Sequence, residues 1–272
     1  MPRIVQKTFS QDLISLAVLV VMPKKGFGSG VFIMYDKKVF FATARHVLFN
    51  MRKIKNSLNF SPKTKKIKIQ YYAIDNDFND PSEIEIDLQE LFKIQKIKLH
   101  GKNDVAVMQI GELKGKKMEL LGPVKLTLGY LNMNLAMESM IRYFDEIETG
   151  AETFVIGYPK ALGMKHRAQY NFNHPLVRKG IVAGKNNRHK TVVIDCPVYG
   201  GNSGGPVFLT EKVIVQEKTK LSFESKKYLI GLVTEYIPYL NKTNKSAEHM
   251  DNADFGVIVP FDQAMELIKS IA

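Results

Sequence analysis

The chain has a single cysteine, Cys196, so no internal disulfide forms and the fold does not depend on an oxidising compartment. Paired cysteines, an HExxH motif and a phosphate-binding glycine loop are all missing, and no metal or organic cofactor is implied. No apolar run is long enough to span a bilayer as a helix. The longest, Leu13 to Met22 (LISLAVLVVM), follows Arg3 and Lys7 and has the outline of a secretory signal. Against that reading, no small-x-small cleavage site follows and Lys24 and Lys25 come next. The run reads as a buried strand. The expected location is therefore cytoplasmic, or exported if residues 1–22 act as a signal. There is no repeat of fixed period and no low-complexity tail.

What is present is enough for a folded core. Of the 272 residues, 45% are hydrophobic, which suits one large domain or two small ones, and 24% are charged, which argues against wholesale disorder. The net charge of +12 favours attraction to acidic partners, nucleic acid or anionic surfaces. Residues 52–68 carry Lys and Arg with no acid and read as an exposed basic loop. With Lys93, Lys96, Lys98 and Lys102 they form either a surface for an acidic partner or nucleic acid, or a merely solvated face.

Short runs rich in Val, Ile, Phe and Tyr, separated by Gly, Pro, Asn and Asp, read as a mostly β chain. Strands are expected at 13–22, 30–35 and 39–44, with a turn-rich stretch (MPKKGFGSG) between the first two. IKIQYYAI reads as a further strand, residues 76–90 as acidic and turn-rich, and IQKIKL and VAVMQI as a pair around the turn HGKND. Residues 112–145 read as a connector with a short helix, in which Met118, Met133, Met137 and Met140 serve packing. A second β region begins near Glu146. Phe261 to Ile271 has apolar residues at helical spacing with Asp262 near its start, and reads as a helix. The expected units are a first barrel over 1–111, the connector 112–145 and a second barrel with the terminal helix over 146–272.

Chemistry concentrates at Gly200-Gly201-Asn202-Ser203-Gly204-Gly205-Pro206. Glycines on both sides of a serine clear space for an approaching backbone and let nearby N–H groups point into one space. Such amides stabilise the oxyanion of acyl transfer, and losing one typically costs about 10²–10³ in rate. Serine is a weak nucleophile and needs a base. His46 follows an apolar strand directly (TARHV), unlike the other five histidines. A carboxylate must orient the imidazole and stabilise its charged form, and Asp104 stands just before an apolar strand (NDVAV). The order is His, Asp, Ser.

GSGVFI, FATARHV, NDVAVMQI, FVIGYP, GNSGGPVF, GLVTEY and FGVIVPFDQAMELI occur in this sequence, in this order. Together they resemble the trypsin-like serine peptidases, and within them the high-temperature-requirement type of bacterial protease domain, without a PDZ domain after the terminal helix. The resemblance covers residues 13–110 and 146–271. It implies an all-β fold of two six-stranded antiparallel β-barrels with a C-terminal α-helix. It also implies a serine endopeptidase acting on protein or peptide, with His46 and Asp104 from the first barrel and Ser203 from the second. The oxyanion amides would be those of Gly201 and Ser203. Asn202 stands where digestive relatives carry an aspartate that pairs with a newly cut N-terminal ammonium. Activation by cleavage before Ile4-Val5 is therefore not expected. The rival reading is a catalytically idle trypsin fold serving as a binding module for an acidic partner or nucleic acid.

The resemblance places the primary pocket near Pro197, Val198 and Tyr199, then Thr234, Glu235 and Tyr236, then Gly256 to Ile258. No carboxylate stands at its expected base, so an Arg or Lys side chain would be buried unpaired. Strand alternation turns Glu235 away from the Thr234/Tyr236 face. The expectation is cleavage after small or medium aliphatic residues.

Overall fold

The computed structural model describes residues 11–23, 25–54, 57–73, 80–159, 171, 174–217, 220–242 and 248–271. Arg3, Ile4, Val5, Lys7, Lys24 and Lys55 lie outside them. The first half holds strands β1 (Ala17–Met22), β2 (Gly26–Tyr35), β3 (Lys38–Thr43), β4 (Phe49–Ile54), β5 (Ser57–Pro62), β6 (Lys66–Tyr71), β7 (Ser82–Asp87), β8 (Ile97–Leu99), β9 (Ala106–Lys114), β10 (Lys117–Leu120), β11 (Val124–Leu128) and β12 (Ala136–Met137). Between them run the short helices α1 (Gln11–Ile14), α2 (Arg45–Leu48) and α3 (Leu88–Lys93). The second half holds β13 (Glu152–Gly157), β14 (Leu176–Asn186), β15 (Thr191–Asp195), β16 (Pro206–Glu217), β17 (Lys220–Lys242), β18 (Glu248–Pro260) and α4 (Phe261–Ile271).

The first sheet runs β10-β9-β3-β2-β1-β6-β7-β11, with β8 on β9 and β12 on β2. Val18 and Val20 of β1 share one core with Phe32, Phe41, Ile69, Ile86 and Met108, which come from β2, β3, β6, β7 and β9. Six strands thus point one face at a single core, and the sheet curls around it. The opposite face of β1, with Ala17 and Leu19, joins a second core containing Val31, Phe40, Val107 and the α4 residues Ala264, Met265 and Ile268. Because β1 is covered on both faces, its sequence runs apolar without alternation. The signal-like run is a buried strand from Ala17 onward. Among the described residues, no helix is long and apolar enough to cross a membrane.

The second sheet closes as the ring β13-β14-β15-β18-β17-β16. Its interior holds Val155, Val182, Ile194, Val207, Ile230 and Ile258. The α4 helix lies where its spacing places it and packs on β8, β9 and β17. This is the trypsin-like double β-barrel fold: the second sheet closes as a six-stranded ring, and in the first sheet β8, β10, β11 and β12 are added to the six strands that curl around its core.

Four local readings change. The segment 112–145 supplies β10, β11 and β12, which pair with β9, β7 and β2, together with two 3₁₀ turns. Its Met133 is buried and Met118 and Met140 are half-buried in packing, whereas Met137 is exposed. In the basic stretch 52–68, the described residues 52–54 and 57–62 belong to the antiparallel pair β4 and β5, and residues 66–68 to β6, rather than to a loop. The acidic SEIEID is strand β7, with Ile84 and Ile86 in the core. Its acids face lysines of β6: Lys66 pairs with Glu85 at 2.6 Å and Lys68 with Glu83 at 2.8 Å. Lastly, GFGSG belongs to β2, not to a turn. A β-carbon on Gly30 would collide with the Phe41 ring, so that glycine serves close packing inside the strand.

Candidate active site

The end of β3 delivers His46 on the single-turn helix α2. Asp104 lies in the turn between β8 and β9. Its carboxylate accepts the His46 backbone N–H at 2.8 Å and a second hydrogen bond from ring Nδ1. A carboxylate only accepts, so Nδ1 carries the proton and Nε2 is left as the basic nitrogen. Burial alone would raise the Asp104 pKa. The two bonds from His46 and the charges of His46 and Arg45 outweigh it and hold the carboxyl below the usual carboxylate range. Asp104 is therefore ionised at neutral pH.

Ser203 lies in the loop between β15 and β16. The loop is anchored on β17: Gly204 N–H donates to the Val233 carbonyl at 2.7 Å and Val233 N–H to the Gly205 carbonyl at 3.0 Å. Gly204 has φ +84, and a side chain there would run into the Thr43 hydroxyl and the Ser29 carbonyl. The glycine is required both by its backbone angle and by the fit of the loop against the first barrel. Among the described residues, the N–H groups of Gly201 and Ser203 have no acceptor in the protein. Unpaired amides are costly in a folded chain, and two of them beside a serine leave room for an acceptor from outside. Asn202 is buried, and its Oδ1 accepts the Tyr199 N–H at 3.1 Å.

His46 and Ser203 line one open cleft of about 480 Å³ between the barrels. Val198, Tyr199, Gly200, Val233 to Tyr236 and Pro238 complete its lining. Of the expected pocket residues, Val198, Tyr199, Thr234, Glu235 and Tyr236 meet here, while Pro197 and Gly256 to Ile258 lie outside the lining. Gly256 sits beneath Val198, whose methyls a β-carbon at 256 would approach to 3.1 Å. The reading of Glu235 is corrected. Val233 pairs with Ile258 and Glu235 with Val257, so Thr234 is an extra residue in a β-bulge. A bulge resets the alternation. Thr234 is buried with its hydroxyl donating to the Val257 carbonyl at 3.2 Å, and Glu235 is exposed on the cleft wall.

Sequence reasoning missed Arg45. Its guanidinium is buried; Nη1 donates to the carbonyls of His100 and, at 2.9 Å, Asn103, and Nε stands 3.9 Å from Asp104 Oδ1. The other side of the group lies 5.0 Å from the Phe60 ring centroid of β5. Asn103 is tied in turn to Gln263 of α4 at 2.8 Å. Nothing in TARHV separates a buried arginine from a surface one. The basic face is also less uniform than its sequence. Lys65, Lys66, Lys68 and Lys93 each have an acidic partner.

Two β-barrels with a glycine-bracketed serine at the cleft between them define the trypsin-like class of serine peptidase. The chain belongs to that family: the Trypsin-like peptidase domain matches residues 28–215. No curated protein matches it by sequence. Among solved structures it is similar to a thermostable serine protease, AL20, from an extremophilic microorganism, at 14% identity over 94% of this chain and 95% of that one, with a TM-score of 0.50. It is also similar to the serine endoprotease from Yersinia pestis, at 18% identity over 95% of this chain and 63% of that one, with a TM-score of 0.44. The HtrA-type protease AlgW with a tripeptide matches at 18% identity over 95% of this chain and 60% of that one, with a TM-score of 0.47. This chain thus spans about three fifths of the length of the last two. At these identities the likeness concerns the fold alone.

Proposed function

We propose that this chain is an active serine endopeptidase that hydrolyses peptide bonds through Ser203, His46 and Asp104. The observation that carries the reading is the double hold of Asp104 on His46 inside a cleft that His46 shares with Ser203. His46 Nε2 takes the Ser203 hydroxyl proton as Oγ bonds to the scissile carbonyl carbon. The carbonyl electron pair moves to oxygen, where the amides of Gly201 and Ser203 receive it. Collapse of this adduct expels the amine, which leaves with the proton from His46. Water then repeats the two steps on the acyl-enzyme, releasing the carboxylic acid and free Ser203. Asp104 keeps its charge throughout and stabilises the imidazolium.

The substrate backbone adds as a strand along residues 234–236 of β17, which beyond Val233 pair only with β18. Val198 and Val233 favour a small or medium aliphatic side chain before the cleaved bond. The exposed Glu235 adds a solvent-screened charge at the wall.

A fluorophosphonate probe tests the reading. It should label the wild type at Ser203 and leave Ser203→Ala unlabelled, with cleavage of a peptide library lost in parallel. A well-folded wild type that neither labels nor cleaves would replace the enzyme with a binding module.

A further inference from the structure

Ser29 lies in β2, opposite Leu19 of β1, and is fully buried. All three of its polar groups are engaged, and none within its own strand pair alone. Its N–H donates to the Ser203 carbonyl at 2.9 Å. Its hydroxyl donates to the Gly201 carbonyl at 2.7 Å and accepts the Tyr158 N–H at 3.0 Å. Its carbonyl accepts the Thr43 hydroxyl at 2.7 Å. One residue of the first barrel therefore holds two carbonyls of the Ser203 loop and the residue that follows β13 of the second.

The hold on Gly201 bears on chemistry. Gly201 has φ +98, in the region that glycine enters freely, so its own side-chain-free backbone does little to fix how the neighbouring peptides face. The peptide joining Gly201 to Asn202 is instead held from both ends. Its carbonyl is bound by the Ser29 hydroxyl, and its N–H donates to the Tyr199 carbonyl at 2.9 Å. With that peptide plane fixed and the Ser203 carbonyl pinned, the unpaired Gly201 and Ser203 amides keep a set direction relative to each other. Oxyanion stabilisation depends on such donors being oriented before reaction.

We propose that Ser29 is a positioning residue for the oxyanion-binding amides, acting through the Gly201 carbonyl without touching substrate. The inference rests on the peptidase reading above. Its signature is a loss confined to the tetrahedral state. A purely structural role would weaken ground-state binding equally.

The test compares wild type, Ser29→Ala and Ser29→Thr in kcat and KM. It also measures affinity for a peptide boronate, which forms a tetrahedral adduct, and for the cleaved peptide product. In Ser29→Ala, kcat and boronate affinity should fall by about 10²-fold, the scale of one lost oxyanion donor, with KM and product affinity within about threefold. Ser29→Thr keeps the hydroxyl and should recover most of the loss. If Ser29→Ala does not fold, Ser29→Cys, close in size and a weaker donor, should show the same split with smaller amplitude. Boronate affinity unchanged in a folded variant, or a parallel loss of product binding, overturns the proposal while leaving a labelled wild type as a peptidase. A wild type that never labels removes both readings.

Discussion

Asp104 holds His46 at two points, the ring Nδ1 and the backbone N–H, so the carboxylate fixes both the tautomer of the imidazole and the turn of helix that carries it. Asp104→Asn can still accept one of these bonds, but it offers an amide donor to the other. The imidazole then turns to the unproductive tautomer, and kcat should fall by about 10⁴-fold with the fold intact. Steady-state cleavage beside circular dichroism checks this. Near-normal turnover in the folded variant would take Asp104 out of the mechanism.

The lowered Asp104 pKa sets the sign of an acid effect. The folded state binds the carboxylate form more favourably than the unfolded chain does. That stabilisation is complete above the unfolded carboxylate pKa and is lost as pH falls through the lower folded value. Denaturant melts of wild type and Asp104→Asn should therefore differ most above the carboxylate range and converge as the pH drops below it. A difference that persists unchanged through the acid range would contradict the hold.

Arg45 supports the Asp104 turn from behind. Arg45→Met leaves the carbonyls of His100 and Asn103 without their charged donor. Hydrogen bonds to charged groups contribute about 1.5–3 kcal/mol, so Tm should fall by about 5 °C and kcat/KM by about tenfold. Arg45→Lys keeps the charge but not the planar fork, and should recover only part. Thermal melts and initial rates decide, and a folded Arg45→Met with unchanged kcat/KM removes the link between this network and catalysis.

Specificity separates the apolar wall from Glu235. An exposed ion pair is worth at most about 1 kcal/mol and weakens with salt. A peptide-library digest should show cleavage after Val, Ala or Leu in wild type and in Glu235→Gln, with only a small, salt-sensitive change near basic residues. Dominant cleavage after Arg or Lys that disappears in Glu235→Gln would show that the carboxylate, not Val198 and Val233, selects the substrate.

The sequence alone determined the β-rich class, the helix Phe261–Ile271 and the residues His46, Asp104 and Ser203 as candidates. Each depends on residue type and local spacing: a helical apolar period, short apolar runs between turn residues, and a serine among glycines. Tertiary structure decided what depends on neighbours distant in the chain. Gly28 and Gly30 look like a turn but are strand residues pressed against Val47 and Phe41. SEIEID looks like an acidic loop because its glutamates answer lysines on β6, which its own sequence does not contain. The side on which Glu235 faces was set by a bulge at Thr234, a matter of register against β18. The supports of the site, Arg45 and Ser29, read as an ordinary surface cation and a small strand residue. Burial and partners more than fifty positions away made them what they are, because a buried polar group takes its role from whatever satisfies its hydrogen bonds.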